Sequence, residues 1–237
     1  SGAVFDADGD RFFRLEYQPL KDAIIVQSGD DTSWLQAHYL IKRKSNRFKG
    51  SQIINTVESD LNAFNDLHEL GFKGQVAPVG DKWILSRSTM ADLRSRLDYI
   101  GENWKTTSEK NSKKFEQAKK QLEEFESLGV SELEQLEILE KNVDEIINSQ
   151  KIDINEVYRP DAHETFAIGA EVTGHVIIKG HISSKNDELI PIYCGNGLKN
   201  ALNTFVASKH IGLTLRAWYN RMENPFKPGY KQTNYAY

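Results

Sequence analysis

The chain has 237 residues, of which 39% are hydrophobic and 27% charged, and its formal net charge is −4. This length and composition are those of a globular protein with a real hydrophobic core, and they exclude a disordered or fibrous chain. The longest apolar runs, "AIIV" and "HVII", have the length of a strand, so the sequence predicts no membrane-spanning helix.

A single cysteine, Cys194, rules out an intramolecular disulfide framework, and the first residues lack the basic-then-apolar layout of a signal peptide. We therefore expect a reducing compartment, the cytoplasm. No phosphate loop, dinucleotide fingerprint, zinc-type Cys/His spacing or Gly-x-Ser-x-Gly turn occurs in the sequence. We therefore expect no cofactor, and a non-enzymatic protein is favoured over an enzyme.

The first third alternates apolar segments and turns. Residues 11–17 and 22–28 are rich in aromatic and branched side chains and predict two strands. Residues 34–44 are predicted as a further strand because apolar side chains occupy every second position from Leu35 to Ile41. A helix is predicted from the cap Ser59 to Gly71, then a hairpin turned at Gly80-Asp81, and then a second helix ending at Gly101.

The middle of the chain predicts an antiparallel helical hairpin. Its first helix carries apolar residues from Phe115 to Phe125 at spacings of three and four. Gly129 ends it, and Ser131 with Glu134 forms a capping box for the next helix. The two stripes form one seam, which is expected to dock a protein partner or a second copy of the chain. Its partner-binding residues are Phe115, Leu122, Phe125, Leu136, Leu139 and Val143.

After a connector, strands are predicted at 170–184 and 189–195, a helix at 196–209 and a closing strand at 211–220. The fold class is therefore α+β, with a mixed or antiparallel sheet body formed by the N- and C-terminal segments and the helical hairpin inserted between them. The expected divisions are an N-terminal α+β segment at 1–104, the hairpin at 105–150, and a C-terminal ββαβ segment at 151–237.

Charge is strongly segregated along the chain. Residues 121–148 hold nine acidic side chains against one lysine, whereas residues 196–237 hold six basic side chains against one acid. Interleaved cations and aromatic rings are typical of proteins that bind single-stranded nucleic acid. The candidate nucleic-acid-binding residues are Lys42, Arg43, Lys44, Arg47, Lys49, Lys199, Lys209, Arg216, Trp218, Arg221, Lys227, Tyr230 and Lys231.

The stretch "FDADGDRFF" places Asp6, Asp8 and Asp10 at alternate positions, a pattern that hard cations use. An EF-hand loop would next need glycine and glutamate where Arg11 and Tyr17 stand. We therefore predict a turn with Asp8-Gly9 in the left-handed region and Asp6 and Asp10 bonded to the backbone, and we keep the three aspartates as weaker metal candidates.

His163-Glu164-Thr165 and His181-Ile182-Ser183 fit the His-x-Thr/Ser pattern of two-histidine phosphoesterases, and His175, Lys179 and His181 share one predicted strand face. These residues suggest an alternative function, a phosphodiester-acting or metal-dependent hydrolase using His175 and His181. The first hypothesis is instead a non-enzymatic, nucleic-acid-associated interaction protein. A structural component of a larger assembly is the third.

Overall fold

The computed structural model describes residues 1–103, 109–129, 131–159, 162–185, 189–223 and 226. Within these ranges the chain is a mixed α+β protein with two sheets and seven α-helices. This confirms the predicted fold class. None of the described helices combines the length and the apolar composition that crossing a membrane requires.

The first sheet is an antiparallel meander of β1 (Gly2–Phe5), β2 (Phe12–Gln18) and β3 (Ala23–Gln27). The inner face of β2 is buried at Phe12 and Arg14. The Arg14 guanidinium lies 4.8 Å from the ring centroid of Phe205 and 4.7 Å from that of Trp218. Aromatic side chains from the C-terminal third therefore cover one face of this sheet.

The second sheet has five strands in the order β5-β4-β6-β7-β8. Its strands β4 (Gln52–Thr56), β5 (Lys73–Ala77) and β6 (Phe166–Ala170) are parallel, whereas β7 (Val176–Ser183) and β8 (Leu189–Gly195) continue it antiparallel. Because β4 is hydrogen-bonded to β6, the N- and C-terminal segments share this sheet and the central helices form an insertion, as the sequence predicts.

The helices surround this sheet. They are α1 (Gly29–Phe48), α2 (Leu61–Glu69), α3 (Asp81–Asn103), α4 (Glu109–Leu128), α5 (Leu133–Gln150), α6 (Gly197–His210) and α7 (Leu215–Glu223), with one turn of 3-10 helix at Ile154–Glu156. One core cluster joins α1 and α2 to β4, β6 and β7. A second cluster packs α3 against the other side of the same strands.

The predicted strand at 34–44 is wrong, because these residues belong to α1. The side chain of Ser28 accepts a hydrogen bond from the Asp31 backbone, and Asp31 bonds back to the Ser28 backbone, which completes a capping box. Trp34, Leu35 and Gln36 are all buried in the first half of α1. A stretch of helix in which every successive residue is buried carries no clear period, so alternation was a poor guide.

The predicted hairpin at 75–86 is also wrong. Only β5 is extended there, and α3 begins at Asp81 and continues past Gly101 to Asn103. The predicted closing strand at 211–220 is instead mostly α7, and the predicted connector contains β6. The C-terminal segment is therefore βββαα rather than ββαβ. All five residues of β6 are buried, so this central strand shows no alternation of apolar and polar residues.

The helical hairpin itself is present, and its ion pair from Lys114 to Glu145 joins the start of α4 to the end of α5 as expected of antiparallel helices. The six side chains predicted to bind a partner are buried, which corrects the expectation of an exposed seam. They lie in one cluster with Met90, Leu93, Leu97 and Ile100 of α3. A third helix of the same chain therefore covers the seam, and the three helices form a bundle.

Candidate functional site

A cavity of about 210 Å³ lies between α1, α6 and strands β6 and β7. Its wall combines apolar side chains of the sheet with polar and charged side chains from both helices. The polar and charged lining residues are Gln36, Tyr39, Arg47, Glu164, Lys179, His181, Lys199 and Asn203.

Arg47 enters this cavity from the end of α1. The helix is interrupted at Lys44, whose backbone angles are φ −142° and ψ 49°. Beyond that kink the Arg47 guanidinium donates a hydrogen bond to a carboxylate oxygen of Glu164, and the Arg47 carbonyl accepts one from the Glu164 backbone over 2.8 Å. These two bonds fix the guanidinium at the start of β6.

Lys179 enters from β7 and bridges two buried acids. Its Nζ lies 3.1 Å from an oxygen of Asp92 and 3.1 Å from an oxygen of Glu164. All three side chains are less than 10% exposed. Arg47 and Lys179 thus share Glu164, and this group joins α1, α3, β7 and the segment just before β6.

Asp92 also receives hydrogen bonds over 2.9 Å from Arg96 Nε and from the Tyr158 hydroxyl. Burial alone would raise the pKa of Asp92, but Lys179 and Arg96 outweigh it and hold that pKa below its usual value. Burial and the neighbouring Asp92 raise the pKa of Tyr158, so its hydroxyl stays a neutral donor. Arg96 reaches outward to Glu140 over 3.0 Å as well.

The wall of the cavity is therefore richer in cations than in anions, with Arg47, Lys179 and Lys199 against Glu164. Within the described part of the chain, Lys199 forms no ion pair. Burial, together with the charge of Lys179, lowers the pKa of His181. Its ring is thus neutral at pH 7, and its Nε2 is buried without a hydrogen-bond partner among the described residues.

Outside the cavity, exposed cations occupy the second half of α1, its C-cap and the end of α6. We call Lys42, Arg43, Lys44, Lys49 and Lys209 the basic surface. Lys42 Nζ donates to the carbonyl oxygens of His210, over 3.1 Å, and Ile211, over 3.3 Å. None of the five pairs with a carboxylate in the ranges that the structure describes. Two basic segments that are far apart in sequence therefore meet at one place.

The other predicted nucleic-acid-binding residues are placed differently. Arg216 is exposed on α7. Trp218 packs against the core. Arg221 donates to Asp66 over 2.7 Å and lies 3.6 Å from the ring centroid of Trp34, so it serves packing. Lys227, Tyr230 and Lys231 lie outside the described residues.

The two histidines of the alternative hypothesis are not brought together. His175 precedes β7 and faces Asp10 and Glu171, whereas the His181 ring lies 5.5 Å from that of Tyr158. Six residues of extended chain separate them by about 20 Å. A centre in which both imidazoles act on one phosphodiester is therefore not formed.

The loop from Asp6 to Asp10 is the turn that the sequence predicts, in part. Gly9 has φ 76° and donates to the Asp6 carbonyl, while an Asp6 carboxylate oxygen accepts from the Arg11 backbone over 3.1 Å. Asp8, however, does not adopt a positive φ. The carboxylates of Asp6, Asp8 and Asp10 each offer an oxygen within 4.8 Å of the others.

Sequence reasoning missed Asp92, Arg96 and Tyr158. The available signal was an acid four residues before an arginine, beside Leu93 and Leu97 on the inner face of α3.

No protein-family model matches this chain, and no curated protein is significantly similar to it in sequence.

Proposed function

We propose that the protein binds nucleic acid, preferentially single-stranded, along the junction of α1 and α6. The observation that carries this proposal is the contact of Lys42 with the carbonyls of His210 and Ile211, because it joins two basic segments into one surface. The cavity, with its own excess of cations, lies between the same two helices.

The side chains of the basic surface are exposed and unpaired with acids, which supports binding of an anionic polymer. Most described arginines are neutralised within the fold; Arg94, Arg96 and Arg221 are examples, each paired with a carboxylate. The basic surface differs because its side chains are exposed and have no acid beside them. Unpaired cations at this density attract phosphates and release the counterions condensed on them, which supplies most of the affinity of non-specific nucleic-acid binding.

The cavity favours a single strand over a duplex. At about 210 Å³ it is smaller than the ~300–1,000 Å³ of pockets for drug-sized ligands, so it suits one base or one phosphate group. Tyr39 and Phe48 contribute aromatic rings to its lining, and Asn203 contributes an amide group. An unpaired base can stack on such rings, whereas a base inside a duplex cannot reach them.

The acidic bundle gives the chain a second electrostatic face. The segment with nine acids forms the end of α4 and most of α5, away from the cavity lining. Like charges repel a phosphate backbone, so this face would confine a nucleic acid to the basic side. We do not propose partner docking through the seam of α4 and α5, since α3 already covers it.

The direct test is fluorescence anisotropy of labelled single-stranded DNA and RNA with the whole chain at roughly 50 to 200 mM salt. We expect log K to fall linearly with log salt, with a slope of about −0.7 for each phosphate contact. A duplex of the same sequence should compete less well. Absence of binding at the lowest salt would exclude the proposal.

A further inference from the structure

We propose that the outer face of the three-stranded sheet is the interface at which two copies of this chain form a homodimer. The register of β1, β2 and β3 defines this face, because residues paired across antiparallel strands point to the same side of the sheet. We call it the apolar face, and its side chains are Val4, Phe13, Leu15, Tyr17, Ile24 and Val26. Gly2, which pairs with Leu15, is the remaining strand residue on this side.

The charged residues of this sheet lie on its other face. Arg14 and Glu16 are the two charged residues in the three strands, and they form an ion pair over 3.2 Å. The rings of Phe205 and Trp218 cover Arg14, which is only 4% exposed. An antiparallel sheet with one face in water usually carries its polar side chains on that face. This sheet has the reverse arrangement, which indicates that another surface packs on the apolar face.

The apolar face is open to solvent in the part of the chain that the structure describes. Ile24 is 65% exposed, Val26 58%, Tyr17 53% and Val4 45%. At about 100 Å² each, these four side chains present roughly 400 Å² of apolar surface, which is within the ~300–600 Å² of the largest patch on a typical monomer. Such patches are often functional, and larger ones mark interaction sites.

A second copy of the chain matches this face in shape and chemistry. Faces of antiparallel sheets pack about 10 Å apart with their strands roughly aligned, so two copies can form a sandwich. A partner with charged groups would have to bury them against a face that offers no opposite charge, whereas the same face of a second copy brings none. An interface around a two-fold axis uses the same patch on both copies, so one apolar face is sufficient.

The area of the face sets the expected strength of the dimer. Two copies bury roughly 800 Å² from the four most exposed side chains, and the partly exposed Phe13 and Leu15 bring the total to about 1,000 Å². This is the lower limit for a specific interface, so we expect a reversible dimer with a Kd in the micromolar range. The apolar face points away from Phe205 of α6, and the dimer therefore does not depend on the proposed nucleic-acid binding.

The test is analytical ultracentrifugation of the whole chain at roughly 1 to 200 µM, a range that brackets the expected Kd. The mass should rise with concentration from the 27.0 kDa of one chain toward twice that value. Ile24→Lys places a charge from each copy in the interface, so its association should be at least tenfold weaker. Circular dichroism checks that this variant is folded. If it is not, Ile24→Thr replaces it, because the branched threonine side chain suits a strand.

Two matched variants distinguish the apolar face from other surfaces. Ile138→Lys makes the same change at a side chain that is 58% exposed on α5. Ala23→Lys changes the exposed neighbour of Ile24, whose side chain points to the opposite side of the sheet. Both variants should associate like the wild type.

A wild type that stays monomeric at about 200 µM overturns the proposal, whether another protein or another segment of the chain covers the face. Association of Ile24→Lys at the wild-type strength also overturns it. Equal weakening in Ile138→Lys would show a general effect of charge, and equal weakening in Ala23→Lys would place the contact at the edge of β3. Either result contradicts a dimer that packs through the apolar face.

Discussion

Lys42 donates a hydrogen bond from its ammonium group to the backbone carbonyl of His210, over 3.1 Å. Lysine at the end of a helix is favourable because the unpaired carbonyls there carry partial negative charge. The contact uses a carbonyl rather than a carboxylate, so the positive charge of Lys42 is not cancelled. The same bond that packs α1 beside α6 therefore leaves the basic surface charged.

The first prediction concerns the buried group beneath the cavity. Asp92→Ala would leave Lys179 and Arg96 buried without their shared acid, and we expect a loss of about 3–5 kcal/mol in the free energy of unfolding, measured with urea. Glu140→Ala removes a partner of Arg96 that is 39% exposed, and it should cost about 1 kcal/mol or less. Equal losses in the two variants would contradict the described arrangement.

The second prediction concerns Asp30, at the start of α1. Its oxygens accept hydrogen bonds from Asn55 over 3.2 Å and from the Asp60 backbone over 2.9 Å. Burial nevertheless raises its pKa from 3.8 to about 6. Because the folded protein holds this proton more tightly than the unfolded chain does, the stabilising contribution is complete below pH 3.8 and is lost as the pH rises through about 6.

The difference between the wild type and Asp30→Asn isolates this contribution, since both proteins share every other titrating group. As the pH falls from 7 to 4, the wild type should gain stability relative to the variant by roughly 2 kcal/mol, most of the ~3 kcal/mol that the full shift is worth at ~1.4 kcal/mol per pKa unit. Urea unfolding at several pH values measures it. A difference that stays constant with pH would show that Asp30 titrates normally.

The third prediction distinguishes a buried seam from a docking surface. Leu122 is fully buried among α3, α4 and α5, whereas Leu128 at the end of α4 is 68% exposed. Leu122→Ala should cost about 2–5 kcal/mol, and Leu128→Ala within about 0.5 kcal/mol of zero. Light scattering should give the same molar mass for both variants. A change in molar mass with little loss of stability in Leu122→Ala would restore the seam as an interface.

Much of the fold was predictable because its local signals agree with one another. The hairpin of α4 and α5 has apolar residues such as Leu122 and Leu139 at helical spacing, and its two helices were predicted correctly. The predicted capping box of Ser131 and Glu134 is wrong, because α5 is capped at Glu132 without a side-chain hydrogen bond. In α1 the signals conflict, since Leu35 to Ile41 alternate while the Ser28 and Asp31 capping box marks a helix start. The cap was the better guide, because it reports directly on the backbone.

The site was less predictable, since it depends on tertiary contacts. A count of cations found Arg47 and Lys199, yet nothing in the sequence places both on one cavity wall. Arg221 also lies in a basic, aromatic segment of the sequence, but its guanidinium packs on the ring of Trp34. The spacing of Asp92 to Arg96 is common on solvated helix faces, so it does not by itself reveal that Asp92 is buried against Lys179. Ion pairs between different helices and strands decide which charged side chains remain unpaired. The order of residues along the chain does not show these ion pairs.

The central claim is that the junction of α1 and α6 binds nucleic acid. It is tested most directly by removing three positive charges from this junction in one variant and from a different surface in a second variant. One triple variant changes Lys42, Arg43 and Lys44 to alanine. Its control changes Lys119, Lys120 and Lys141, which are exposed on α4 and α5, to alanine. Both variants lose three positive charges, so a general effect of net charge is the same in each.

The measurement is the salt dependence of binding to one labelled single-stranded oligonucleotide. We expect the basic-surface variant to bind more weakly at low salt and its slope of log K against log salt to become shallower by about 2, at ~0.7 for each lost phosphate contact. The control variant should keep the wild-type slope. Wild-type binding in the basic-surface variant, or equal weakening in both variants, would contradict the account.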